Sequence, residues 1–318
     1  MSGWGSMAER VAAYLEARRA MGYQLRIEGE QLQRFARFAD QQDHRGPLTL
    51  DLAVAWASQS HTASGIGRAR RLEVIRPMAR YCALYEPETQ IPPPNLLGPG
   101  HRRVAPHIYS AREVLDMLDT ARDLGPEGGL RPATMRCLIG LLASTGLRIS
   151  EALALSRDDV DLEHSLLRVC QTKFRKSRYV PVHPTTRDAL ADYAHFRDRR
   201  VPLARDTAFL LFDNGRAVNG AQARHAFSLI RSELGWDKPM RGRRPRLYDL
   251  RHTFTCWRLQ AWYQEGRDVN CLMPCLATYL GHAKVTDTYW YLTGTTELLA
   301  VAAERFEHAS QPPAGKSS

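Results

Sequence analysis

Apolar residues return every three or four positions over residues 8–23, 28–42, 50–58 and 69–84, the spacing that lays one face of an α-helix against a core. Four such stretches in succession predict a small helical domain over 1–85. The pattern breaks in EPETQIPPPNLLGPG, residues 86–100, where prolines and glycines remove backbone donors and cannot continue a helix. An extended linker is expected over 86–105. Helical spacing resumes in YSAREVLDMLD, where Glu113 follows Ser110 by three residues, the reciprocal cap of a helix start. Further helices are expected over 131–145, 149–156, 184–199, 219–235 and 249–265. Between two of them, SLLRVCQ (165–171) and RYVPVH (178–183) are short, rich in β-branched and aromatic residues, and separated by polar TKFRKS, which reads as a hairpin. Pro274 suits the first turn of a helix ending at Gly281. The expected fold is mainly α: a helical domain, a second mostly helical domain over 106–309 with a small β-sheet, and a disordered tail in SQPPAGKSS, 310–318.

Composition narrows the class without naming a function. With 318 residues, 44% hydrophobic and 25% charged, the chain can bury two cores and is neither disordered nor a small disulfide framework. Its cysteines are scattered, and the nearest pair, Cys271 and Cys275, is spaced as CxxxC, so they are expected to be reduced, buried small hydrophobes. No long apolar run or secretory leader pattern is found, so a soluble, cytoplasmic protein is expected. The formal net charge of +10 rests almost wholly on arginine, since lysine occurs only at 173, 176, 238, 284 and 316. Residues 1–100 carry a net +2 and residues 101–318 a net +8, so any polyanion partner leans on the second domain. A solvated basic surface explains the same charge, and the charge alone does not decide between the two.

Common catalytic patterns are missing: no phosphate-binding GxxxxGK[ST], no GxSxG, no HExxH and no strand followed by GxGxxG. Asp158, Asp159 and Asp161 in RDDVDL read as a solvated turn after a helix rather than a metal site. No cofactor or metal is expected. Four separated segments do stand out: TGLRISEALAL (145–155), TKFRKSRYVPV (172–182), LYDLRHTF (247–254) and YLGHAKVTDTYWYL (279–292). Together they resemble the tyrosine recombinase (phage integrase, Xer-like) family. Its catalytic domain carries Arg, Lys, a His or Lys three residues before a second Arg, His or Trp, and Tyr in this order. The resemblance covers roughly 105–309, while 8–85 is similar only in size and helical character to the family's core-binding domain. LMPCLATYLGHAKVTDTYWYLTGTTELL is similar to integrases of transposon-like mobile elements in particular.

The resemblance implies a site-specific recombinase that cuts and rejoins DNA through a covalent 3′-phosphotyrosine. Arg148 and Arg251 would hold the scissile phosphate, and two guanidinium forks suit its two non-bridging oxygens. Glu151 would steady Arg148, or be an ordinary helix pair. Lys173 would protonate the departing 5′ hydroxyl, with Lys176 as a competitor in the same turn. His282 would hydrogen-bond the phosphate. Tyr291, nine residues after His282, would be the nucleophile, with Tyr289 and Trp290 as packing residues. Where the family has His or Lys three residues before the second arginine, this chain has Tyr248, whose phenol could still reach the phosphate. His252, next to Arg251, is read as structural.

Arg241, Arg243 and Arg244 in the proline-broken stretch KPMRGRRPR are expected to grip backbone phosphates from a loop, as are Lys176, Arg68, Arg70 and Arg71. Implied partners are double-stranded DNA, further copies of the chain as a dimer on one site and a tetramer on two, and sister recombinases. The segment 297–306 could pack on a neighbouring copy or on its own chain. A type IB topoisomerase-like nicking enzyme and a non-catalytic DNA-binding protein of the same fold stay open at this point.

Overall fold

A computed structural model describes residues 5–59, 64–100, 105–170, 177–239, 243–282 and 284–294. The chain divides into two compact units, Met1–Arg103 and Val104–Ser318.

The first unit holds α1 (Met7–Ala20), α2 (Arg26–Gln41), α3 (Leu50–Ser58) and α4 (Gly65–Cys82). Ser6 and Glu9 cap α1 reciprocally, and Ser64 caps α4, which starts it earlier than the apolar spacing alone suggests. Their apolar faces meet around Leu32, Phe35, Trp56, Leu72, Ile75 and Met78, with Phe35 edge-on to Trp56 at 5.5 Å. Residues 86–100, read from sequence as a linker, are bonded to this unit. Arg76 donates to the carbonyls of Pro92 and Pro93, both at 3.0 Å, Arg70 donates to Gly100 at 2.8 Å, and Gln90 accepts from the Leu50 N–H at 2.6 Å. An extended proline-rich chain offers carbonyls that no helix of its own satisfies, and arginines of α4 take them.

The second unit contains α5 (Ala111–Thr120), α6 (Leu130–Thr145), α7 (Ile149–Ala154), α8 (Pro184–Arg200), α9 (Gly220–Glu233), α10 (Asp249–Gln264), α11 (Val269–Leu280) and α12 (Thr286–Gly294). Ser110 and Glu113 form the reciprocal cap of α5. The central α6 is apolar nearly all round and packs against α5, α8 and α10. An antiparallel sheet runs β1 (Val160–Asp161), β2 (Leu166–Val169), β3 (Arg178–Pro181), with Leu167 opposite both Val160 and Val180. The hairpin of β2 and β3 is as expected, but the sheet has a further strand, β1, from RDDVDL. There Val160 is buried, and Asp159, also buried, accepts from the Ser156 hydroxyl and from Arg168, so this segment is not a solvated turn. A second, smaller core lies between α10, α11 and α12, built on Phe254, Leu259, Met273, Leu276, Leu280 and Tyr291.

Two expectations need correction. Pro274 lies inside α11, not in its first turn, because Asp268 caps the helix earlier by accepting the N–H groups of Asn270 and Cys271. Cys82 and Cys256 are buried as expected, but Cys170, Cys271 and Cys275 are exposed. Among the described residues no helix is long and apolar enough to cross a membrane.

Candidate active site

Two helix ends frame the site. Both α6 and α11 stop at a glycine in the left-handed region, Gly146 at φ 62° and Gly281 at φ 68°. A Cβ at Gly146 would stand 2.5 Å from the Phe254 ring, and one at Gly281 2.6 Å from the Arg178 guanidinium, so space as well as backbone demands glycine. The last carbonyls of a helix lack intrahelical donors and carry partial negative charge. Arg251 of α10 donates through Nη1 to the Gly146 carbonyl (2.7 Å) and through Nη2 to that of Leu280 (2.8 Å). Arg148, between α6 and α7, donates through Nη2 to the Gly281 carbonyl (2.9 Å) and through Nη1 to Glu151 (2.7 Å). Among the described residues these bonds use two of the five N–H donors of each guanidinium.

Glu151 is shared. Arg178 of β3 donates to both its oxygens, at 3.2 and 2.9 Å, and through Nε to the Tyr279 carbonyl at 2.8 Å. Burial alone would raise the Glu151 carboxyl, but the bonds and charges of Arg178 and Arg148 prevail and hold it below its ordinary value. It remains a carboxylate that steadies Arg148 and ties the sheet to the end of α11.

Among the described residues Arg251 forms no ion pair, and Glu151 acts on it only from a distance. Arg251 is 2% exposed, and its hydrogen bonds go to neutral carbonyls. Burial, then the nearby charge of Arg148, lowers its pKa to about 10, which leaves it a cation at neutral pH. Two like charges held together in a poorly solvated place favour an arriving anion, because it relieves both the repulsion and the desolvation.

Tyr291 of α12 closes the site from the side of α10. It is 3% exposed, and its hydroxyl lies 2.9 Å from Nδ1 of His252. Burial raises the phenol above its usual pKa, although Arg251 pulls it down. Tyr289, two residues earlier and read from sequence as a packing residue, is 38% exposed. The side chain of Trp290 lies outside the described residues. His282 follows Gly281 and meets the Thr288 hydroxyl at 2.6 Å through Nδ1. Burial and then Arg251 and Arg148 lower its pKa to about 4, so it is neutral. Tyr248, at the start of α10, is half-exposed, with its ring edge-on to His252 at 5.2 Å.

Arg148, Glu151, Arg251, His282 and Tyr291 are therefore brought together, with Tyr248 at the margin. Lys173, Lys176 and Arg241 lie outside the described residues. Of the arginines expected to meet DNA, Arg244 and Arg68 are exposed, whereas Arg243 is paired with the fully buried Asp249 at 2.8 Å. Arg246 joins it on Asp249 at 3.1 Å, so residues 243–249 are a pinned segment. Arg71 lies over the Trp56 ring at 4.2 Å.

Sequence reasoning assigned His252 to structure and passed over Arg178. The ring of His252 lies 2.9 Å from the Tyr291 hydroxyl, a contact that its sequence reading as structural did not include. The only signal for His252 was adjacency to Arg251, which says nothing about where α12 docks; for Arg178 it was an arginine heading a strand of the hairpin.

Comparison with known proteins identifies the family. Residues 109–297, more than half of the chain, match the model of the phage integrase family. Over 299 residues the chain is 38% identical to y4rE of Sinorhizobium fredii, which carries an integrase/recombinase name, covering 94% of this chain and 95% of that one. Tyrosine recombinase XerD of Bradyrhizobium diazoefficiens is 30% identical over 234 residues, 70% of each chain. The fold matches that of the Tn1549 transposon integrase, solved in complex with transposon right end DNA, at a TM-score of 0.68 with 15% identity, over 96% of this chain and 100% of that one. On this footing the chain belongs to the phage integrase family and is a site-specific tyrosine recombinase.

Proposed function

We propose that the protein cuts and rejoins double-stranded DNA at specific sites with Tyr291 as its nucleophile, and that it serves a mobile element. The observation that carries the residue assignment is the Tyr291 hydroxyl, buried on a helix packed against α10, beside a pair of arginines. The phosphate sits across Arg148 and Arg251, which neutralise the charge that grows on its non-bridging oxygens, and His282, being neutral, adds a hydrogen bond. The Tyr291 oxygen attacks phosphorus, the bond to the 5′ oxygen breaks, and that oxygen leaves as a hydroxyl with a proton from Lys173. Tyr248 reaches the phosphate from the edge of the site. Rejoining runs the same exchange backward from a free 5′ hydroxyl, with one phosphoester exchanged for another, so no external energy source is needed.

Each chain has one nucleophile, and two duplexes have four strands to cut, so recombination takes a tetramer built from a dimer on each site. Sister recombinases could fill some of its places. Arg68, Arg70, Arg71, Arg241, Arg243, Arg244 and Lys176 are proposed to contact backbone phosphates, with Arg68, Arg70 and Arg244 exposed among those described. The reaction is placed in the cytoplasm.

The test is an SDS-resistant protein–DNA adduct formed in EDTA on nicked duplexes tiled from the DNA flanking the protein's own gene. Wild type and Tyr289→Phe are expected to form it and Tyr291→Phe to lose it while still binding DNA. An adduct that survives in Tyr291→Phe would contradict the nucleophile.

A further inference from the structure

The mechanism above needs a place for the Tyr291 proton, and the residue the family would use, three positions before Arg251, is a tyrosine in this chain. We propose that Nδ1 of His252 takes the proton from the Tyr291 hydroxyl during attack. The inference rests on the reading of Tyr291 as nucleophile and names a further catalytic residue for it.

Three observations point the same way. The Nδ1 atom is 2.9 Å from the phenol oxygen, within direct transfer distance. The two rings lie 5.5 Å apart, on α10 and α12, helices that pack against each other, so the contact belongs to the core and not to a mobile surface. The imidazole is also kept neutral: burial, then Arg243, Arg246, Arg251 and His282, lowers its pKa to about 3. An imidazolium would have no lone pair at Nδ1, whereas the neutral ring protonated at Nε2 has one.

The same cations decide when the proton moves. Before phosphate binds, Arg243, Arg246 and Arg251 oppose a positive imidazole, and burial raises the pKa of the Tyr291 phenol. A bound phosphate brings negative charge among Arg148, Arg251 and His282 and offsets that field. As the O–P bond forms, the phenol oxygen becomes a phosphoester oxygen and sheds its proton readily, so transfer accompanies attack. Tyr248 stands edge-on to the same ring at 5.2 Å. The balance is simple: Tyr291 O–H loses its proton to His252 Nδ1, its oxygen gains the bond to phosphorus, and the 5′ oxygen leaves with a different proton. On rejoining, His252 returns the proton to Tyr291.

The test compares wild type, His252→Asn and His252→Ala in single-turnover adduct formation on the same tiled nicked duplexes. Each duplex is made with an ordinary phosphodiester and with a 5′-bridging sulfur at the cut. Asn places an oxygen acceptor near the Nδ1 position but cannot carry the proton. Both variants are expected to slow about 10²- to 10⁴-fold with DNA affinity kept. The sulfur leaving group needs no proton and is not expected to rescue them, whereas added imidazole is expected to restore part of the His252→Ala rate. Wild-type rates in both variants, or rescue by the sulfur substrate, would overturn the inference while leaving Tyr291 in place. Absence of any wild-type adduct would overturn the nucleophile reading and this one with it.

Discussion

Arg10 and Arg251 are buried almost equally, at 1% and 2% exposure, yet they are answered in different ways. Arg10, in the first unit, meets the carboxylate of Glu86 through Nε at 2.7 Å and through Nη2, so its charge is matched within the fold. Arg251, in the second, has carbonyls as its hydrogen-bond acceptors and a second arginine for a neighbour. A buried cation neutralised by its own chain is architecture, and one supplied only with dipoles is positioned for an anion that comes from outside. The lesson is that burial of charge alone does not mark a site; burial without an ion-pair partner among the described residues points to one.

The comparison can be sharpened by experiment. The largest effect is expected at Arg251→Lys, which keeps the charge but loses the fork: adduct formation should fall about 10²- to 10³-fold with DNA binding largely retained, as read by single-turnover kinetics and filter binding. Arg10→Ala should leave the cleavage chemistry alone but strand Glu86, with a loss of about 3 kcal/mol in urea unfolding of the whole protein. Next comes Gly281→Ala, where a left-handed backbone and the Arg178 guanidinium both resist a side chain; a loss of about 2 kcal/mol is expected by the same measurement, together with slower cleavage as the Gly281 carbonyl moves from Arg148. Inorganic phosphate at matched ionic strength should raise the melting temperature by an amount worth about 1 kcal/mol at tenfold excess over its Kd. That rise should persist in Arg10→Ala and vanish in Arg251→Lys.

Acid offers a gentler probe. His252 and His282 have folded-state values of about 3 and 4, below the usual 6.5, so as the pH falls the unfolded chain takes up their protons first. Their contribution to stability is complete above about pH 6.5 and declines as the pH falls toward 4 and then 3. Replacing both with Asn should flatten the stability profile in that window.

Much of the fold was legible because local signals decide it. The Ser110–Glu113 cap, the spacing of apolar residues in α6 and the hairpin of β2 and β3 are written in short stretches. Of the candidate site, Arg148, Arg251, His282 and Tyr291, which the structure brings together, were each marked by a motif around it. What escaped depends on contacts distant in sequence. The His252 ring meets Tyr291 only because α12 packs on α10, and Arg178 reaches Glu151 across 27 residues. Asp159 reads as a surface acid until Arg168 of the neighbouring strand covers it. Pro274 misled because proline favours first turns, while the Asp268 cap starts the helix before it.

The most direct test of the account is to digest the wild-type protein–DNA adduct and locate the attached nucleotide by mass spectrometry. The account expects a 3′-phosphodeoxynucleotide on the Tyr291 phenol oxygen and on no other residue. Attachment at Tyr289, Tyr248 or a serine would contradict the assignment of nucleophile, and with it the argument from the buried phenol beside Arg251 and Arg148.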